Sequence, residues 1–116
     1  MSISREIKAE ERAIVLAMLE QSGLNATDFP MSEQVAAYGQ PYMGSINFDN
    51  DRPDLYDGDI AQCEYLDADG MRVVLSLTKD QEGKLLDLDI WKENFTALVA
   101  YPTPETLIFK KKEEDR

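Results

Sequence analysis

The chain has 116 residues, with 23 acidic side chains against 12 basic ones, no histidine and a net charge of −11. That length suits one domain. A surface so negative repels phosphate backbones, which speaks against direct nucleic-acid binding and for a basic protein partner.

The lack of histidine removes the usual proton shuttle near neutral pH and the commonest metal ligand. The single cysteine, Cys63, excludes an intramolecular disulfide. No apolar run approaches a membrane span, and residues 1–6 lack a signal peptide's apolar stretch, so the expected location is the cytoplasm.

The first predicted element is a helix over residues 8–22. Ile7, Ile14, Val15, Met18 and Leu19 fall near one face at helical spacing, while Glu10, Glu11, Arg12 and Glu20 lie outside it. Early acids suit the helix dipole, and Gly23 is placed to end the element. A loop follows through Pro30, because the residue before proline resists helical geometry. Ser32 is then read as the cap of a short second helix over residues 33–38, closed by Gly39.

From residue 42 the pattern changes to strands, predicted over residues 42–48, 60–66, 71–78 and 85–92, with Gly44 marking a bend or bulge. A loop over residues 49–59 separates the first two and carries five aspartates at a spacing that fits no calcium template.

The stretch LDADGMRVVLSL, residues 66–77, does place Asp67, Asp69 and Gly70 in calcium-loop order. Aligning Gly70 with the loop's invariant glycine puts Tyr65 and Ser76 where the first ligand and the bidentate glutamate belong, so both ends fail. A tight turn accounts for all of it, with Asp67 accepting backbone hydrogen bonds and Gly70 left-handed. Asp80-Gln81-Glu82-Gly83 repeats that logic.

Burying apolar side chains on one face sets the register. Ala61, Cys63 and Tyr65 face Leu77, Leu75 and Val73, which in turn face Leu86, Leu88 and Ile90. The expected fold is therefore α+β: N-terminal helices packed on one face of an antiparallel β-sheet of four or more strands, in the order 42, 60, 71, 85. Residues 1–109 form the domain and residues 110–116 a charged tail. The outer face would carry Gln62, Glu64, Arg72, Val74, Ser76, Leu85, Asp87, Asp89 and Trp91, unless residues 106–109 cover Trp91 or Arg72 stacks on it.

Catalysis is not expected. Cys63 has Gln62 and Glu64 as neighbours and no imidazole to activate it, so it reads as a small core residue. Carboxylate pairs such as Asp87 and Asp89 arise by chance among so many acids. No cofactor and no metal are expected.

The stretch Leu86-Asp87-Leu88-Asp89-Ile90-Trp91-Lys92, followed by Phe95, Leu98 and Pro102, resembles a family of small bacterial proteins with no assigned activity. In that family the last strand reads ELDIWK, followed by an aspartate–phenylalanine pair, SPL and a proline. The similarity extends back through LDADGMRVVLSL and more weakly to the first helix. This chain departs from the pattern with Asn94 before Phe95 and with Thr96-Ala97 in place of serine–proline.

Some relatives look like immunity proteins of bacterial toxin systems, including contact-dependent growth inhibition. The resemblance implies a cytoplasmic protein that occludes a basic toxin domain, such as a nuclease. The expected contact surface centres on Trp91, with Asp87, Asp89 and Glu64 beside it and Asp54, Asp57 and Asp59 extending the negative field. The alternative is a small-ligand or regulatory module with a pocket lined by Tyr38, Tyr42, Tyr56 and Trp91.

Overall fold

In a computed structural model of the chain, the described residues are 4–37, 44–48 and 53–109. Helix α1, Ala9–Gln21, buries Ile14, Val15, Met18 and Leu19 on one face. At its start the buried Glu11 carboxylate accepts the Lys8 amide at 2.9 Å and takes a two-pronged contact from Arg5 at 3.0 and 2.7 Å. Gly23, at φ +76, closes the helix in the left-handed conformation.

The sheet has six strands, β1 Ser4–Glu6, β2 Gln34–Ala37, β3 Ile46–Asn47, β4 Tyr56–Leu66, β5 Arg72–Asp80 and β6 Leu85–Lys92. Their order is β1-β2-β3-β6-β5-β4, and every neighbouring pair is antiparallel. The apolar face of α1 joins Val35, Cys63, Leu75, Leu88 and Ile90 in one core. The architecture is the α+β arrangement expected, with one helix against an antiparallel sheet. Among the described residues no helix is long and apolar enough to cross a membrane.

Several elements differ from expectation. The second helix is replaced over its described residues by β2, which pairs with both β1 and β3. So short a segment gains little as a helix, and two flanking ladders outweigh the helix propensity of its alanines. Ser32 does not cap a helix; its hydroxyl accepts the Gln34 amide and donates to the Gln34 carbonyl, setting up β2. β1 had no counterpart in the sequence reading.

Of the strand expected over residues 42–48, only Ile46–Asn47 is strand among the described residues. It lies beside β6 rather than β4. β4 begins at Tyr56, so Asp57 and Asp59 lie on a strand and not in a loop. Tyr38, Tyr42, Asp49, Asp51 and the tail 110–116 lie outside the described residues.

The first hairpin has the expected register, Ala61 opposite Leu77, Cys63 opposite Leu75 and Tyr65 opposite Val73. The second is offset by two residues from expectation, with Leu77, Leu75 and Val73 opposite Leu88, Ile90 and Lys92. The turn closes on Asp80 and Lys84 around Gln81-Glu82-Gly83, and a register irregularity lies between Leu77 and Lys79. Together they move the ladder by an even number, so the faces are kept while the partners change. Leu85, expected outside, lies in the core.

Candidate functional site: the outer face of the sheet

Alternation from Leu88 and Ile90 puts Lys92 on the inner face, and the offset of the second hairpin sets it opposite Val73, where its side chain is fully buried. Its ammonium donates to Asp67 Oδ2 at 2.9 Å, Asp69 Oδ2 at 2.7 Å and the Ala97 carbonyl at 3.0 Å, which uses all three of its protons. Asp67 also accepts the amides of Ala68 at 2.7 Å, Val99 at 2.8 Å and Ala100 at 2.9 Å. Burial pushes the Asp67 carboxyl up, but Lys92 and the three amides outweigh it and hold the group at about 2. Burial likewise works against the Lys92 charge, while Asp69 and Asp67 raise its pKa above the usual value. The two aspartates in calcium-loop order therefore hold an ammonium from their own chain, and Gly70 closes the turn at φ +83.

The opposite face of β4, β5 and β6 is built differently. Residues directly opposite one another in an antiparallel ladder share a face. Trp91 lies opposite Val74, Val74 opposite Glu64, and Glu64 opposite Ile108, which bonds to it through both backbone groups at 2.7 and 3.1 Å. Leu66, two residues after Glu64, points the same way. Phe95 meets Trp91 edge to face, with ring centroids 5.6 Å apart and the planes at 76°. Leu66, Trp91, Phe95 and Ile108 are 64%, 42%, 57% and 52% exposed, so four large apolar side chains stand open on one surface.

Arg72 crosses this surface. Its guanidinium donates to Glu64 through Nε and Nη2 and to Glu93 through Nη1 at 3.0 Å. These contacts raise its pKa and keep it charged. Among the described residues the ring contact of Trp91 is with Phe95, so Arg72 is committed to carboxylates and not to the indole. Residues 106–109 were expected as a possible cover for Trp91. They run instead along the β4 edge, two strands away.

The expected site residues separate under this geometry. Trp91, Glu64, Asp89 and Asp87 share the outer face. Asp89 is exposed, with one oxygen 3.4 Å from Ser45 Oγ. Asp87 is half-buried and accepts the Asn47 side-chain amide at 3.0 Å, and burial raises its pKa. Glu64 is tied to Arg72, and Asp57 to Lys79. Asp59 accepts the Tyr56 hydroxyl at 3.0 Å. That hydrogen bond raises the Tyr56 pKa, with Asp89 a minor contributor. Asp54 is exposed in the 3-10 turn Pro53–Leu55.

Leu66, Phe95 and Ile108 were not foreseen as site residues. Alternation from Gln62 and Glu64 would have found Leu66. Phe95 sits at φ +62, a conformation its sequence does not announce, and Ile108 belongs to a bridge formed with a distant strand.

Elsewhere, Cys63 is buried and its thiol is pushed up to about 12, chiefly by burial and also by Glu64. A cavity of about 210 Å³ lies among Arg5, Lys8, Glu10, Ile46 and Tyr101. The Tyr101 hydroxyl is shielded from solvent and has no hydrogen-bond partner among the described residues.

No curated protein matches the chain, and no solved structure matches it. Residues 4–102 match the family described as a domain of unknown function, DUF6984, and the chain belongs to that family.

Proposed function

We propose that this DUF6984 member is a binding protein, an acidic cytoplasmic immunity protein that neutralises a basic bacterial toxin domain by occluding it. The observation that carries the reading is the gathering of Leu66, Trp91, Phe95 and Ile108 on one sheet face around the Arg72 ion pairs. Exposed apolar surface of this kind, with an aromatic anchor and charged surroundings, has the composition of an interface centre. The net charge of −11 favours a basic partner, by speeding encounter and by disfavouring acidic competitors. A toxin domain that cuts nucleic acid is basic where it holds its substrate, so the same charge suits it.

The reading assigns no catalytic residue and no cofactor. A second reading, a small-ligand module, has the cavity beside Tyr101 in its favour. Trp91 and Tyr56, which it would place in a pocket, are exposed.

The test pairs the chain with the toxin domain encoded beside its gene and measures growth protection and Kd. Trp91→Ala should leave the fold intact and weaken binding by about 30-fold or more, equivalent to about 2 kcal/mol. An unchanged Kd in a folded variant truncated at Leu66, Trp91 and Ile108 removes the outer face as the site. A neighbouring toxin that the chain neither binds nor neutralises overturns the immunity reading.

A further inference from the structure

The outer face also indicates what kind of group a partner would bring to it. Trp91 is the sole tryptophan, and its indole stands exposed at the end of β6. Asp89 lies two residues before it on the same face, roughly 7 Å along the strand. Glu93 lies two residues after it and continues the ladder by donating its amide to the Arg72 carbonyl at 3.0 Å. Carboxylates therefore flank the indole on both sides along the strand, and the Phe95 ring stands nearly perpendicular to it.

The local charge does not cancel. Glu64, Asp89 and Glu93 set three negative charges against one guanidinium, Arg72, which is shared between Glu64 and Glu93. Among the described residues Asp89 has no ion pair, and its carboxylate accepts a hydrogen bond from the Ser45 hydroxyl at 3.4 Å. An exposed aromatic ring attracts a cation over its face, and a planar guanidinium laid there still directs its donors sideways to carboxylates.

We propose that this surface seats an arginine side chain of the partner, its guanidinium stacked on Trp91 and hydrogen-bonded to Asp89, with Glu93 supplying the second negative charge. The inference rests on the docking reading above and gives the partner's contact its chemistry. An ammonium can neutralise the acids but lacks the planar stacking surface, which favours arginine over lysine.

The sole tryptophan makes the site self-reporting. The probe is a blocked hexapeptide of alternating arginine and glycine, titrated at low salt while Trp91 emission is followed. Its citrulline counterpart keeps the shape and removes the charge. The arginine peptide should give a saturable change, at least tenfold weaker with citrulline and at least fivefold weaker in Asp89→Asn. Asp28→Asn, an exposed acid on the 3-10 turn Ala26–Asp28 after the helix, should leave the titration unchanged.

Equal responses to the two peptides would make the patch apolar in its preference and overturn the arginine seat. Equal losses in Asp89→Asn and Asp28→Asn would reduce the effect to diffuse attraction by an acidic chain and overturn it as well. If the toxin domain still binds through Trp91 in either case, the docking reading stands without the arginine. If toxin binding ignores Trp91, the docking reading fails on its own measurement.

Discussion

Lys92 ends a strand whose other inward positions include Leu88 and Ile90, and it is as completely buried as they are. A lone ammonium there would be prohibitively desolvated; three oxygens make it tolerable. Lys92→Met should therefore destabilise the chain by about 3 kcal/mol, because it leaves the Asp67 carboxylate buried with only amides for company. Urea unfolding checks this, and a loss under 1 kcal/mol would mean the site relaxes or hydrates.

The same group predicts a pH dependence. Asp67 has its pKa lowered on folding from an ordinary 3.8 to about 2. Its contribution of about 2 kcal/mol is thus present above pH ~4 and is lost as pH falls toward 2. Asp67→Asn should flatten the stability profile across that interval, and an unaltered acid limb would contradict the assignment. The turn at Asp67 and Gly70 was legible in the sequence, because its chemistry is local. The role of Lys92 was not, since its carboxylate partners lie 25 and 23 residues away.

At the scale of elements, β4 and β5 were readable down to their register, because alternation of Ala61, Cys63 and Tyr65 leaves one way to bury them. β6 was readable in extent but not in pairing, since its register depends on a turn and an irregularity that hydrophobic pattern does not encode. β1 was invisible. Ser4, Arg5 and Glu6 are polar, and the strand exists because Arg5 pairs with Val35 on one side of the chain and with Glu11 on the helix.

That ion pair joins sheet to helix with Glu11 almost fully enclosed. Burial opposes the Glu11 charge, while Arg5 and the Lys8 amide lower its pKa overall. Arg5→Ala should cost about 2–3 kcal/mol and speed amide exchange in β1 and at the start of α1 more than in β5. Uniform acceleration across all three would show that β1 is not an independently tethered element.

For the whole molecule, the charge excess sets a balance between repulsion and local pairing. Acids outnumber bases by 23 to 12, and the pairs that salt can reach, such as Arg72–Glu93 and Lys84–Glu82, are exposed and contribute little. The enclosed Lys92–Asp67 pair is poorly screened. Added salt therefore relieves repulsion more than it weakens attraction. Raising NaCl from ~10 mM to ~0.3 M should lift the Tm by roughly 4 °C or more, as about 1 kcal/mol does in a domain of this size. A flat or falling Tm would mean that exposed ion pairs stabilise the fold more than repulsion opposes it.

The sheet order has a consequence in time. β4, β5 and β6 follow one another through tight turns, so their pairing closes short loops and carries little entropic penalty. The ladder between β3 and β6 joins residues about forty positions apart through Ile46 opposite Leu88 and Asn47 opposite Asp87, extended by the Phe48 amide on the Leu86 carbonyl. The C-terminal meander should therefore form before the β3–β6 seam, an order that φ-values near 1 at Leu75 and near 0 at Ile46 would check. The outer patch lies on the meander side of that seam, so the strands that carry it are brought together by short loops alone.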